Sequence, residues 1–382
     1  MRFLTVLAFA FVTAGATLGS AAELYEMNTN VRALGMGNAF TPIVDDKDSL
    51  FYNPAGLAKV RGINWTIMDP RFGVDGYDVV STVASAQSDS SYVETLRRIF
   101  GKNLWLGGGA KMALAIPGFA FAIYDSAEVA AYLSNPAFPN MNLRYLNDYG
   151  AAIGVGVDVA DTFQFGVVGK RITRMGGEFP FGLSTLGTLT NADITRQLSN
   201  QGTGYTLDFG STVTIPAGIV TPIFSLVWKQ IGSTTFSRDT GTAAPPRIQD
   251  EIIFGFAAPI DLPGLNINPV FDFKHINRTD EPLGKKLHLG VEFELPVIRV
   301  RGGLSQGYWT LGAGIDMEFL KIDAASYGVE LGEYPGQHED RRYLLQATME
   351  IGLDPGFGFL GGGGKGGKGS SGGASRGVKP RR

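Results

Sequence analysis

The sequence predicts an all-β protein, and within that class a transmembrane antiparallel β-barrel. Several windows alternate apolar and polar residues with period 2, as a strand does when its two faces meet different surroundings. Glycine contributes 53 of the 382 residues, about twice its usual share, and helices tolerate glycine badly. Charged residues make up only 18% of the chain and aromatic residues reach 11%. This apolar content, with a net charge of only −3, excludes a chain that is disordered throughout.

The first 22 residues predict export. Arg2 supplies a positive charge, residues 3–12 are apolar, and Ser20-Ala21-Ala22 offers the small residues at which a signal peptidase cuts. A transmembrane anchor needs about 20 apolar residues, and the small polar residues before Ser20 end this run earlier. We therefore expect a signal peptide over 1–22, cleaved near Ala22. The sequence has no later run of 18 apolar residues, so a soluble exported protein and a β-barrel remain as alternatives.

The alternating windows extend from about residue 61 to residue 353 and define the expected strands. In one window Leu287, Leu289, Val291, Phe293 and Leu295 share a face. Windows of this kind often reach 9 to 12 residues, which suits a tilted bilayer crossing better than a soluble strand of about 5 or 6 residues. Aromatic residues stand near the window ends, as an interfacial girdle requires. These are Tyr205, Trp228, Trp309 and Tyr343.

The polar faces of the same windows carry acidic and basic residues in alternation, which suits a wet lumen of mixed charge. The residues expected to face that lumen are Asp208, Asp272, Lys274, His288, Glu292, Glu294, Arg299, Arg301, Asp316 and Glu318. A soluble β-sandwich gives the same alternation and is the competing fold. Residues 76–100 and 187–201 do not fit a strand pattern, and the sequence leaves open whether they are surface loops or fold into the lumen.

Three short blocks follow the signal peptide within residues 29–60. They are Arg32-Ala33-Leu34-Gly35-Met36-Gly37, Asp45-Asp46, and Asn53-Pro54-Ala55-Gly56. Gly35 and Gly37 permit close backbone approach and positive φ, and the two aspartates can accept backbone N–H bonds in a turn. Pro54 lacks an N–H and suits a segment that is not paired in a sheet. We expect residues 23–60 to form a compact hatch inside the barrel, the alternative being a plain lead-in to the first strand.

These three blocks, in this order, resemble the amino-terminal signature of the FadL-like outer-membrane barrels, over about 30 residues. The Gly-Met-Gly variant is closer to the PorV-type branch. The resemblance implies a barrel of about 14 strands over 61–360, in the bacterial outer membrane and plugged by the hatch. It implies passive uptake of hydrophobic small molecules such as long-chain fatty acids, with membrane lipids around the barrel. The PorV-type branch implies instead a partner of a secreted or periplasmic protein that moves no small molecule.

Other chemistry finds little support in the sequence. Residues 303–307 fit the G-x-S-x-G pattern of a hydrolase, but they lie between two strand windows, whereas a nucleophile elbow joins a strand to a helix. His275, His288 and His338 show no metal-ligand spacing. The absence of cysteine excludes disulfides and thiolate metal sites. A net charge of −3 argues against a nucleic-acid partner. We expect neither an enzyme nor a cofactor.

The carboxyl end departs from the barrels that the chain resembles, which usually finish with their last strand. Residues 361–382 contain ten glycines and six basic residues and no acidic residue. The basic residues are Lys365, Lys368, Arg376, Lys379, Arg381 and Arg382. Such a stretch buries too little apolar area to fold. We expect a disordered tail, which is either passive or a tether to anionic envelope polymers.

Overall fold

The computed structural model describes residues 23–24, 26–27, 29–75, 103–134, 140–181, 198–215, 217–317 and 319–353. The expected signal peptide, the stretch 76–100, residues 187–197 of the second irregular stretch, and the tail 361–382 lie outside the described residues, and so does Glu318. Among the residues described, no helix is both long enough and apolar enough to cross a membrane.

The described residues form sixteen strand segments and little helix. The segments are β1 (Ile63–Met68), β2 (Arg71–Asp75), β3 (Asn103–Ile116), β4 (Phe119–Ser134), β5 (Asn140–Val159), β6 (Phe163–Phe181), β7 (Gln201–Thr214), β8 (Ile223–Lys229), β9 (Glu251–Ala257), β10 (Ile260–Leu262), β11 (Leu265–Phe273), β12 (Leu287–Glu294), β13 (Ile298–Ser305), β14 (Tyr308–Asp316), β15 (Leu320–Glu330) and β16 (Glu339–Leu353). The helical elements are α1 (Val31–Gly35), α2 (Leu283–Lys286) and two 3₁₀ turns, Lys47–Leu50 and Pro54–Lys59.

The sheet closes on itself. Successive strands pair antiparallel, and β16 pairs back with β1 and β2. β1 and β2 are the two halves of one strand, broken at Asp69-Pro70, because both pair with β3 and with β16. β9 and β10 likewise share one partner, β11. The described residues thus form a closed barrel of fourteen strands. The predicted barrel is confirmed. The β-sandwich alternative is wrong, because the described strands form one sheet that closes on itself and not two separate sheets packed face to face.

Burial alternates along the strands as the period-2 pattern requires. On β8, Phe224, Leu226 and Trp228 are exposed on the outward face, and the residues between them are buried. The four aromatic residues at the ends of the sequence windows are also exposed on the outward face. Their exposed fractions are 73% for Tyr205, 40% for Trp228, 53% for Trp309 and 39% for Tyr343. An outward face of large apolar side chains around a polar interior is the arrangement of a membrane barrel.

The two ends of the barrel differ in their connections. At one end, which we call the short-turn end, tight turns such as 117–118 and 160–162 join the strands. At the other, the long-loop end, the connections include 230–250 and 274–286. Outer-membrane barrels place short turns in the periplasm and long loops at the cell surface. The two ends therefore give the barrel its orientation in the membrane.

Candidate functional site

The interior of the barrel is occupied by the described residues of the range 23–60, which we call the lumenal segment. Nearly all of its residues from Asn30 to Leu57 are buried. Its polar groups bond to strands around the ring: Arg32 to β12, Phe40 and Thr41 to β11, and Asn53 to β7. Val31 N donates to Gln346 on β16, almost opposite β7 in the strand order. The segment therefore crosses the lumen from wall to wall.

The first block of the segment begins with a capped helical turn. The Asn30 side chain accepts from Arg32 N at 2.7 Å and so caps α1. This turn directs the Arg32 guanidinium to Glu292 on β12, with contacts of 2.9 and 2.6 Å. Arg301 on β13 donates to the same carboxylate at 2.7 Å and to Asp323 at 2.6 Å. Glu292 is fully buried, and the two guanidiniums supply the positive charge that a buried carboxylate needs.

The Gly-Met-Gly turn packs against a glycine surface of the wall. Gly37 has φ +65°, and a Cβ there would lie 2.5 Å from Leu289 O and 2.6 Å from Leu304 O. A Cβ on Gly35 would lie 2.9 Å from the Cα of Gly312 on β14. The wall residues Gly290 and Gly303 face Met36 in the same way. Only glycine fits at these positions, since backbone meets backbone at a distance that a side chain forbids.

The third block meets a second glycine surface on the other side of the lumen. Asn53 accepts from Ala55 N at 3.0 Å, which caps the 3₁₀ turn, and donates to Thr41 O and to Thr212 Oγ1 on β7, each at 3.0 Å. Pro54 rests on β6, where a Cβ on Gly166 would lie 2.2 Å from Pro54 O. A Cβ on Gly56 itself would lie 2.3 Å from a backbone oxygen within the segment.

Between these two blocks, the aspartate pair shapes a turn that carries buried charge. Asp45 is half-buried, and Asp46 accepts from Asp48 N at 2.8 Å, which caps the turn Lys47–Leu50. Lys47 Nζ lies 3.5 Å from Asp69 Oδ2 and 3.9 Å from Asp48 Oδ2. Burial lowers the pKa of Lys47, but Asp69 and Asp48 outweigh it and hold that pKa well above its ordinary value.

Asp69 ties this charged turn to the break in the first wall strand. Its carboxylate accepts from Gln346 Nε2 at 2.5 Å and from Thr348 Oγ1 at 2.7 Å, both on β16. Lys111 on β3 lies 3.6 Å from Asp69 and bonds directly to Asp48. The break between β1 and β2 therefore places an inward carboxylate where the lumenal segment offers a lysine.

The structure brings several of the residues expected in the lumen against the lumenal segment. Asp272 Oδ2 accepts from Phe40 N at 2.9 Å, from Thr41 N at 3.0 Å and from Thr41 Oγ1 at 2.7 Å. Lys274 lies 2.8 Å from Glu26. Asp208 accepts instead from Lys170 on the neighbouring strand and from the backbone N of Gln230.

The remaining expected lumen residues divide between the centre and the short-turn end. Arg299, Glu294 and Asp316 are half-buried, and Arg299 bridges the two carboxylates at 2.8 and 2.5 Å. His288 is buried, with Nδ1 at 2.8 Å from the carbonyl oxygen of Gly37. Because a carbonyl only accepts, this nitrogen carries the proton and donates to it.

A cavity opens beside the lumenal segment toward the long-loop end. Its lining residues surround about 760 Å³ with open solvent included, of which only about 80 Å³ admits the centre of a water-sized sphere. Apolar side chains of one packed cluster form part of its lining, namely Leu34, Trp105, Tyr327, Val329 and Leu344. Charged groups also belong to the lining, where Glu23 pairs with Arg342 at 2.6 Å and with Arg144. Burial raises the pKa of Glu23, but the two arginines outweigh it and bring that pKa down to about 2. The cavity therefore combines an apolar cluster with polar and charged side chains in about equal parts.

Several solved structures are similar to this chain. The Ralstonia pickettii toluene transporter TbuX is 10% identical, with 85% of this chain and 98% of that chain covered and a TM-score of 0.47. The Pseudomonas putida toluene transporter TodX is 9% identical, with coverage of 86% and 99% and a TM-score of 0.42. A Pseudomonas aeruginosa FadL homologue is 11% identical, with coverage of 86% and 99% and a TM-score of 0.34. At these identities the likeness concerns the fold alone.

Comparison of the sequence gives no such relatives. No protein-family model matches the chain, and no curated protein matches it.

The G-x-S-x-G pattern lies in a hairpin. Ser305 ends β13, and Gln306 and Gly307 turn the chain into β14 with φ of 54° and 91°. Ser305 Oγ lies 3.2 Å from His288 Nδ1, a contact that the sequence did not reveal. Since that nitrogen donates to Gly37 O, it is not a base toward Ser305. Within the described part of the chain, no three His, Asp or Glu side chains are grouped as metal ligands.

Sequence reasoning missed the wall partners of the lumenal segment. Lys111 and Asp69, the glycine surface around Gly303, and the aromatic lining at Trp105 and Tyr327 were not anticipated. A signal existed for the glycines, because Gly302-Gly303 and Gly312 interrupt windows that are otherwise rich in large residues. A glycine at an inward strand position indicates that another backbone approaches there.

Proposed function

We propose that this chain is a FadL-like outer-membrane channel through which small hydrophobic molecules cross passively, with residues 23–60 as its hatch. The observation that carries the proposal is a cavity, lined in part by an apolar cluster, directly against a segment that fills a closed barrel. The ion pair of Glu23 and Arg342 lies in the same lining, so a ligand would meet charged groups as well as the apolar cluster.

The buried ion pairs and glycine contacts suit a hatch that blocks water and ions at rest. An apolar molecule held in the cavity would leave when the hatch shifts or through a lateral opening of the wall. The proposal places a signal peptide at 1–22, the barrel at 61–360 and a tail at 361–382. In this proposal, passage of the hydrophobic molecule requires no cofactor and no catalytic residue.

Uptake by liposomes carrying the purified protein tests the proposal. Separate arms use a long-chain fatty acid and a monoaromatic hydrocarbon, which decides between these ligand classes. Leu344 lies in the apolar lining, and Leu344→Gln places an unpaired amide there at a cost of about 1–3 kcal/mol. We expect about 5- to 150-fold weaker ligand binding and slower uptake. Leu344→Met keeps the lining apolar and serves as the matched control.

Uptake no faster than in empty vesicles, in both arms, would overturn the channel. The PorV-type alternative then gains if a secreted or periplasmic protein co-purifies with the barrel. For the basic tail we propose attachment to anionic envelope polymers by charge attraction. Deletion of 361–382 should reduce binding of the protein to such polymers at low salt, and unchanged binding would contradict that role.

A further inference from the structure

The outward face of the barrel carries a groove that the proposed channel does not use. It lies across β4 to β7, with the start of the connection after β8 at one side, and encloses about 1080 Å³ including its open side. Phe121, Ile153, Leu207 and Ile231 border it, and Gly169 lies in its floor. A Cβ on Gly169 would meet only Leu207 Cδ2, at 3.7 Å. The groove thus exists because one side chain is missing from an apolar outward row.

An unpaired arginine stands at one end of this groove. Arg171 is the next outward residue after Gly169 on β6, is exposed, and lies in register with Ala151 on β5 and Tyr205 on β7. Its guanidinium makes no hydrogen bond or ion pair with any residue that the structure describes. Another outward arginine, Arg341, instead bonds to Glu339 and lies 3.8 Å from the centre of the Trp309 ring. The charge of Arg171 is therefore available to a partner outside the chain.

The height of Arg171 on the barrel suits a lipid headgroup. The outward row of β5 from Val159 to Tyr149 rises about 25 Å on a tilted strand, the height of an apolar membrane band. Arg171, paired with Ala151, lies near the end of this row that faces the long loops. An arginine there costs little, whereas one at the bilayer midplane costs about 2–4 kcal/mol. Tyr205 beside it is a typical interfacial residue.

Guanidinium binds phosphate through two parallel N–H contacts, and the groove below it offers apolar surface to an acyl chain. We propose that this groove binds a phosphorylated glycolipid of the outer leaflet, with an acyl chain along Gly169 and a phosphate on Arg171. The leaflet follows from the long-loop end, which faces the cell exterior in such barrels. The inference requires a barrel in the outer membrane and is independent of whether the barrel transports anything.

Native mass spectrometry of the full chain, titrated with lipid A, tests the site. We expect the wild type to bind lipid A. Arg171→Gln should bind it at least about tenfold more weakly, because a charge-assisted contact is lost. Arg171→Lys should retain part of the affinity. Gly169→Val fills the groove and should weaken binding to a similar extent as Arg171→Gln.

The matched control is Gly302→Val, on the outward face of β13, where a Cβ would meet no atom closer than 3.9 Å. It should bind lipid A as the wild type does. Dephosphorylated lipid A should bind the wild type as weakly as lipid A binds Arg171→Gln. Equal lipid A binding by the wild type, Arg171→Gln and Gly169→Val would overturn the site. Phosphatidylglycerol binding as tight as that of lipid A would overturn the assignment to a glycolipid.

Discussion

Replacing Asp272 with alanine should free the centre of the lumenal segment while the barrel stays closed. One carboxylate oxygen accepts three hydrogen bonds from Phe40 and Thr41, at 2.7 to 3.0 Å. A hydrogen bond to a charged acceptor contributes about 1.5–3 kcal/mol, and a buried N–H left without a partner costs about 1–3 kcal/mol. Since such contributions do not add fully, we expect the free energy that holds the segment against the wall to fall by at least about 3 kcal/mol.

Hydrogen–deuterium exchange in detergent or nanodiscs measures this loss at the amides concerned. A decrease of about 3 kcal/mol in the opening free energy speeds exchange by about 150-fold. We expect this acceleration at Phe40 and Thr41 in Asp272→Ala, and a smaller one in Asp272→Asn, whose amide oxygen still accepts. Asp261→Ala is the matched control, because Asp261 is exposed near the short-turn end.

The reasoning is refuted if Phe40 and Thr41 exchange equally slowly in Asp272→Ala and in the wild type. It fails also if the strands exchange faster by the same factor, since the barrel and not the segment would then have opened. Faster hydrogen exchange confined to the lumenal segment is the outcome that supports the role of Asp272 in holding this segment against the wall.

Three further changes have defined outcomes. Gly37→Ala puts a side chain into a left-handed turn against wall carbonyls and should lower the thermal unfolding midpoint by several degrees, with Gly302→Ala nearly neutral. Lys111→Met removes a cation from a buried charge cluster and should lower the free energy of unfolding in guanidinium by about 3–5 kcal/mol. Glu23 has its pKa lowered to about 2, so its stabilisation is present above about pH 4.5 and is lost as the pH falls toward 2. Trp105 fluorescence should change over that window, because Arg342 stacks on its ring at 4.4 Å, and should not change there in Glu23→Gln.

The wall could be predicted from the sequence because each strand displays its two environments locally. The window Leu287–Leu295 shows its outward and inward faces without reference to any other strand. The number of strands could not be read from the residues themselves and came from the resemblance of the amino-terminal blocks. The break at Asp69-Pro70 shows why, since two short segments there make one strand only through their shared partners.

Only the short-range contacts within the lumenal segment were predictable from the sequence. Asn30, Asp46 and Asn53 each cap a turn two residues onward, and this is the part that short-range chemistry determines. The partners across the lumen are far away in the chain: Gly37 meets His288, and Asn53 meets Thr212. Nothing local to either residue specifies such a pairing, so the sequence indicated a compact segment without showing what holds it.

The segment is held unevenly, and this determines which part should respond to a ligand. The blocks around Gly37 and Pro54 contact wall backbone so closely that a small shift would break many contacts. The described residues before Asn30 are held by long side chains instead, such as Glu23 with Arg342 and Glu26 with Lys274, and they border the cavity. We therefore expect an apolar ligand to change hydrogen exchange of this first stretch and to leave Pro54–Lys59 unchanged. A change at Pro54–Lys59 of equal size would show that the segment moves as one rigid body, contrary to this reasoning.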